Sequence, residues 1–484
     1  KTGTQYYYDG SAYVGQQDDI PTGFLSRKTV KADDTTTLDV LRQRSDRHGN
    51  VIESIDPNGT IADDTTHRRR YIYDDLGLFL TYLDIHISED HVLRRSTQYE
   101  YDFQNLVDVT DWVLVQNGQE VTGRNERHYE YDDFGRMTEE YRAGDGDATP
   151  TMQYAYELGK PFSRIIVRGR SERNGPVDQE FYRCLDGLGR LYQTRTRTAT
   201  GKYLVTGFEV FNSRGASVET FQPYTSNTGE CESERPAGVL SSLKKYDALF
   251  RQIEVSEPGE DLYGERLVST TTYAPLKETL HDFEDLDADS PHFETPFHKH
   301  LDGLGRVVAM ERVLAGGSSA IYELHYDETG SFSGYTDPEG NRHELVVDLA
   351  GRVTAVRNPT TGETLLDYDD AGNILSMTDA RGVTTRYAYD GGNRRVGTWD
   401  SADREGTLVS FHYDTVPDDC ELIECTNPAN RLVKVSYPTP FGEGSDRFGY
   451  DARQRVVFRG RRIGDAIDMT TNLTMDNLDR AAKV

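Results

Sequence analysis

Two stretches decide the fold: Tyr368-Asp369-Asp370-Ala371-Gly372-Asn373 and Tyr389-Asp390-Gly391-Gly392-Asn393-Arg394. Each opens on a Tyr-Asp pair and reaches glycine within three residues. The same block stands at Tyr73-Asp74-Asp75-Leu76-Gly77 and Tyr131-Asp132-Asp133-Phe134-Gly135-Arg136. It recurs without the Tyr at Asp186-Gly187-Leu188-Gly189-Arg190, Asp302-Gly303-Leu304-Gly305-Arg306 and Asp348-Leu349-Ala350-Gly351-Arg352. Weaker copies start at Asp46, Asp102, Asp247, Asp327, Asp414, Asp451 and Asp476. Copies at 327, 348, 369 and 390 follow one another at a step of 21 residues. Self-similarity at a fixed period marks a repeat architecture.

The block has a mechanical reading. In Tyr-x-Tyr-Asp the two tyrosines alternate, so both point to one face of a strand, and Tyr is a good strand former. Asp begins a turn and bonds the amides that follow it. Gly supplies the positive φ that closes the hairpin, which places Gly351, Gly372 and Gly392 in turns. The next strand restarts with alternation, as in Arg352-Val353-Thr354-Ala355-Val356-Arg357. A second turn lies between copies, at Asp56-Pro57-Asn58-Gly59, Asp337-Pro338-Glu339-Gly340 and Asn358-Pro359-Thr360-Thr361-Gly362, where Pro fixes φ early. One period is therefore strand, turn, strand, turn, and two strands of about 6–8 residues with their turns fill it. No stretch carries trustworthy helical periodicity. The expected fold is all-β, a strip of consecutive antiparallel hairpins. Asp74, Gly77, Asp132, Gly135, Asp186, Gly189, Asp302, Gly305, Asp348, Gly351, Asp369, Gly372 and Asp390 are its structural turn residues.

Regularity divides the chain into three parts: an entry segment over 1–45, irregular repeats over 46–325 and regular repeats over 326–484. Between about 140 and 325 the steps stretch to 54 residues (132 to 186) and 55 residues (247 to 302). Longer hairpins or decorated loops account for this, and 225–236 and 282–296 read as exposed loops.

Composition agrees with thin layers. Of 484 residues 36% are hydrophobic, below the usual share of about 45–50%, yet 10% are aromatic, which is not a disordered composition. The formal net charge of −28 argues against sequence-independent nucleic-acid binding, which needs clustered cations. No apolar run reaches the roughly 18 residues of a membrane span. Of the 54 cations 43 are Arg, a bias toward fixed, bidentate hydrogen bonding. The chain starts at Lys1 without a leader and its last residues sit inside a repeat, so it reads as a piece of something longer, any export signal lying outside it. Four cysteines (Cys184, Cys231, Cys420, Cys425) are too few for a disulfide scaffold. Cys420 and Cys425 flank an acidic loop and are read as free thiols, a bridge being the alternative. No C-x-x-C pair suggests structural zinc.

The Tyr-Asp…Gly-Arg block resembles the YD repeats of the rearrangement-hotspot (Rhs) family, over roughly 46–484 and in fourteen copies. Tyr6-Tyr7-Tyr8-Asp9-Gly10, followed by Gly23-Phe24-Leu25-Ser26-Arg27, resembles the junction into the YD-repeat half of the B component of bacterial insecticidal toxin complexes (Tc toxins). The resemblance implies a hairpin strip that spirals into part of a hollow shell, helping to enclose and protect a toxic polypeptide. It implies as partner a C-type component, or a downstream Rhs segment carrying the toxin. It also implies secretion or export from a bacterium as part of a larger assembly. The C-terminal hairpins near Tyr450 and Met475 would form the seam with that partner. No cofactor and no catalytic role are implied. The family's terminal core block, with its paired-aspartate cleavage site, has no counterpart here, so no protease residue carries over.

Other candidate chemistry in the sequence has plainer structural explanations. Asp285, Asp287 and Asp289 match the first oxygen positions of a calcium loop, with Asp282, Glu284, His292, His298 and His300 close by. Ser290 replaces the required Gly and Pro296 the final Glu, so a solvated acidic loop is favoured and no metal site is assigned. Gly330-Ser331-Phe332-Ser333-Gly334 carries Phe332 at the nucleophile position of an elbow motif and is no match. Two carboxylates suffice for a glycosidase, but Asp at repeated turns is explained by backbone capping. Repeated Gly-Arg pairs read as Arg bonding carboxylates of neighbouring hairpins. A carbohydrate-binding or adhesion module and a polysaccharide-active enzyme are the alternatives to the shell segment.

Overall fold

The computed structural model describes residues 3–8, 23–59, 65–123, 125–144, 149–159, 162–259, 265–416, 426–464, 467–476 and 479–483. Cys420 and Cys425 lie outside them. The described chain is built of antiparallel strands, nearly all paired with their sequence neighbours. Helix is confined, among the described residues, to the four-residue turns Phe283–Leu286 and Arg404–Thr407.

The repeat sets the register. Gly362–Tyr368 runs against Ile374–Thr378 with Leu366 opposite Met377 and Asp367 opposite Ser376, then slips so that Tyr368 faces Ile374. The same slip recurs at Ser45/Val51, Tyr131/Met137, Leu185/Leu191, Leu301/Val307, Tyr326/Phe332, Tyr389/Arg395 and Tyr450/Val456. This is a turn followed by a left-handed residue that forms a bulge. The intervening turns carry no slip: Thr336 faces Arg342 and Thr378 faces Thr384.

The chain groups into two compact units. The first comprises 1–151, 172–174 and 345–484. Within it, the turns of the C-terminal repeats meet the turns that follow the N-terminal strands Leu25–Lys31 and Val51–Ile55. Leu349 N donates to Ala32 O (2.9 Å), Asn58 Nδ2 to Asp369 Oδ2 (2.9 Å) and Asn393 Nδ2 to Asp56 Oδ2 (2.7 Å). Further along, His91 Nε2 lies 2.8 Å from Asp414 Oδ2, Asn125 bonds Asn427, and Arg453 Nε donates to Ala143 O. The apolar core here is small: Leu93, Leu114 and Ala429, with Ile85, Ile87 and Trp112 against them.

The second unit comprises 152–171 and 175–344. Its core gathers Cys184, Tyr192, Val205, Phe208 and Phe221, flanked by Phe162, Val210, Phe211, Tyr224, Cys231 and Val239. Cys184 and Cys231 form a disulfide across 47 residues, a pairing that the spacing of the cysteines did not indicate. Closing a loop of that length contributes on the order of 4 kcal/mol in the chain-entropy account. The stretched steps have two sources. The hairpin Met152–Glu157 with Ser163–Gly169 lengthens the gap between 132 and 186, and the further gap from 186 to 247 is interrupted by a turn at Asn212, with Asn in place of Asp. The hairpin Glu265–Ala274 with Lys277–His281 and the loop after it lengthen the gap before 302.

Far-UV circular dichroism of the purified chain is expected to show a β spectrum with helix below about 15%, against the third or so of an ordinary soluble protein; a larger helical signal would contradict this fold.

Candidate functional site

The repeat turn is built from one carboxylate. Asp132 Oδ1 accepts the amides of Phe134 and Arg136, both at 3.0 Å, and Oδ2 accepts Arg136 Nε at 2.8 Å. The set recurs at Asp186 with Leu188 and Arg190, at Asp302 with Leu304 and Arg306, at Asp348 with Ala350 and Arg352, and at Asp390 with Gly392 and Arg394. Asp369 receives the Asn373 amide and side chain instead. Asp74 serves a connection one residue longer, accepting from Leu78 N and Phe79 N, with Tyr101 Oη on its other oxygen.

The fourth residue of each turn donates to the Asp carbonyl and is left-handed: Gly77, Gly135, Gly189, Gly305, Gly351 and Gly372 have φ between 67° and 89°. Gly392 is not left-handed; Asn393 takes that conformation in its turn, at φ 63°. Phe250, Gln454 and Asp479 do the same in the turns begun by Asp247, Asp451 and Asp476. Side-chain bonds therefore hold the conformation even where no glycine relieves its strain.

Tyrosine and arginine link one turn to the next. Tyr368 Oη donates to Val353 O at 2.7 Å, the first residue beyond the preceding repeat turn. Tyr73 to Val51, Tyr246 to Ser217, Tyr326 to Val307, Tyr389 to Ile374, Tyr413 to Arg395 and Tyr450 to Leu432 repeat that bond. Arg352, held by its own Asp348, extends Nη1 to Asp369 O (2.9 Å) and lies over the Tyr368 ring. Arg251, Arg306 and Arg394 lie likewise over Tyr273, Tyr326 and Tyr413. The expectation that Gly-Arg pairs bond carboxylates of neighbouring hairpins is thus corrected. The guanidinium bonds the carboxylate of its own turn, four residues back, because the tight turn brings that oxygen within reach. It meets the neighbour through a carbonyl and a ring. Arg394 adds the next turn's carboxylate, Asp414, which is fully buried and also faces His91.

Several turn carboxylates are stabilised as anions. The Arg136 guanidinium, then its amide, keeps Asp132 below the usual carboxylate range. The Arg306 amide leads the same effect at Asp302, and the Thr329 hydroxyl at Asp327. Buried Asp414 is also lowered; burial opposes this, while His91 and Arg394 outweigh it.

The acidic loop at 282–296 is spent on its own structure. Asp282 and Asp285 cap the helical turn reciprocally, and Asp285, 3% exposed, also accepts from Thr295 N and Oγ1. His298 bonds Thr279 and His300 bonds Glu311. Gly330 closes the Asp327 turn and Gly334 lies in the strand Phe332–Thr336.

Three features escaped the pattern reading. Glu100, not Asp102, occupies the Asp place between Tyr99 and Leu106, and it pairs with Asn105. Asn212 forms the repeat turn through Oδ1; an Asn-x-x-Gly search would have found it. Fully buried Arg195 had no sequence signal; it bonds Gln193, Ser226, Thr228 O and Glu232.

The model of the RHS Repeat family matches residues 348–383 and 368–402, the most regular turns. No curated protein matches the chain. Solved structures do. The crystal structure of TcdB2-TccC3 superposes with a TM-score of 0.73 at 17% identity, over 99% of this chain and 29% of that one. The Tc holotoxin pore of Photorhabdus luminescens gives 0.68 at 12% identity, over 99% and 33%. TcdB2-TccC3-Cdc42 gives 0.61 at 14%, over 99% and 33%. The chain thus carries RHS repeats and has the all-β hairpin fold of these Tc toxin structures. It spans about a third of the length of the chains it matches.

Two outcomes follow from the turn geometry. A Cβ at Gly372 would meet nothing within 4 Å, so only its φ of 89° opposes a side chain. Gly372→Val is expected to cost about 1–2 kcal/mol, seen as a lower Tm. Gly303→Ala, in open space outside the left-handed region, is expected to leave Tm unchanged. Because Asp74, Asp132, Asp186, Asp247, Asp302 and Asp327 titrate lower folded than unfolded, their stabilisation is present above the unfolded value of about 3.9 and is lost as pH falls through the folded values. Thermal melts are expected to drop steeply below about pH 4; a melt no lower at pH 3 than at pH 5 would contradict this.

Proposed function

We propose that this chain is a non-catalytic wall segment of a bacterial toxin-complex shell, helping to enclose and protect a toxic polypeptide before delivery. The observation that carries the reading is the superposition of 99% of the chain on TcdB2-TccC3. The turn residues from Asp74 to Asp390 are its working parts: they hold hairpins in register and leave no carboxylate of theirs without donors. Residues 1–45 enter the wall, 46–325 form its decorated part and 326–484 its regular part.

The partner in this reading is a C-type component or a downstream Rhs segment carrying the toxin. Ile467–Asn472 is the last described strand of its sheet, paired with Val456–Ile463. A strand at the end of a sheet has backbone groups free to pair with another chain. The disulfide Cys184–Cys231 supports export, since such bonds persist in oxidising compartments.

The test is assembly of the full chain with a C-type component and its cargo. Cargo in the complex is expected to resist added protease, and hydrogen exchange over 440–484 to slow on assembly. Cargo digested as fast in the complex as alone would refute enclosure; unchanged exchange in a complex that does form would place the seam elsewhere.

A further inference from the structure

Residues 227–240 contain no strand, yet they close the core of the second unit. Cys231 and Val239 pack on the buried cluster of Cys184, Tyr192, Val205, Phe208 and Phe221. Glu232 pairs with Arg195 Nη2 at 2.9 Å, and Thr228 O accepts Arg195 Nη1 at 2.9 Å. Gln193 Nε2, itself fully buried, donates to Glu232 O. The segment is therefore the cover that supplies the paired carboxylate and a carbonyl to a guanidinium with no exposure of its own. Leaving that charge without acceptors is costly, so the segment and the core beneath it form one cooperative piece.

What fastens the cover is unequal in kind. At its base Gln222 N donates to Leu240 O. Along it the ties are side-chain bonds, including Arg235 with Glu219 and Glu230 with Arg164, and one covalent bond, Cys231 to Cys184. The two sulfurs differ in access. Cys184 has no exposed surface. Cys231 is half-buried and lines an open surface pocket of about 260 Å³ with Phe162, Arg164 and Glu230. A small thiol has a way to Cys231 and none to Cys184.

We infer that residues 227–240 are a redox-released strap: reduction of Cys184–Cys231 by a small dithiol frees the segment and uncovers Arg195 and the aromatic core of the second unit. The inference stands on this unit alone and not on the enclosing role. A thiolate of the dithiol attacks Cys231 Sγ, forming a mixed disulfide, and the Cys184 thiolate leaves and takes a proton. The second thiol of the reagent then displaces Cys231 and closes its own disulfide. Two electrons pass from the dithiol to the protein, which ends with two thiols. Reducing surroundings such as a cytosol would thereby loosen a chain that oxidising ones keep closed.

The experiment treats the full chain with dithiothreitol under native conditions. Alkylation of the Cys184 and Cys231 peptides is counted, and hydrogen exchange is followed by mass spectrometry. Both thiols are expected to appear, with exchange over 227–240 and over the Glu209–Phe211 strand rising about tenfold or more, as in local opening. Exchange in Val307–Val313 is expected to stay unchanged, and removal of the reagent to restore protection. Cys231→Ser is expected to show the fast exchange without reductant and no response to it; if that variant does not fold, reduction and reoxidation of the natural chain decide alone. Three results would each overturn the strap: no alkylation without denaturant, full alkylation with exchange over 227–240 unchanged, or a rise spread evenly through the unit.

Discussion

Most hairpins of the regular repeat depend on one bond set: an aspartate carboxylate accepting the amides two and four residues ahead. Those bonds fix a five-residue connection, and at the Tyr-Asp turns a bulge accompanies it at the same place. Side chains alternate along a strand with period two, so a slip of one residue would send each tyrosine to the opposite face. With the bulge fixed, each tyrosine arrives where its hydroxyl reaches the carbonyl beyond the preceding turn. The carboxylate sets the register, and the register aims the ring.

This polar ladder carries a task that a thicker core performs in other domains. The buried apolar clusters are small, and much of each strand stays half-exposed. Arg suits the ladder where Lys would not. Arg352 uses Nε on its own turn, Nη1 on the next turn's carbonyl and its flat face over the next tyrosine. Three simultaneous contacts need a planar fork, a use in keeping with 43 arginines among 54 cations.

The repeat was legible because its causes are local. Asp, Gly and Arg act within five residues of one another, and their spacing survives in the sequence as a pattern. The misses were substitutions that keep the geometry while changing the letter. Asn212 offers the same oxygen as Asp, and Asn393 takes the left-handed place expected of glycine because its own side chain is bonded to Asp56. Glu100 stands at the Asp place in a longer connection. Each is invisible to a search for letters and plain to one for acceptors and φ.

The sequence by itself determined the all-β class, the hairpin order and the turns, since these follow from bonds between residues a few positions apart. Tertiary structure alone decided that Asn58 meets Asp369, 311 residues away, that His91 meets Asp414, and that Cys184 is joined to Cys231 under a cover for Arg195. Such meetings depend on the twist accumulated over many strands. That twist is a few tens of degrees per pair, set by backbone and packing together, and no motif of the chain records its sum.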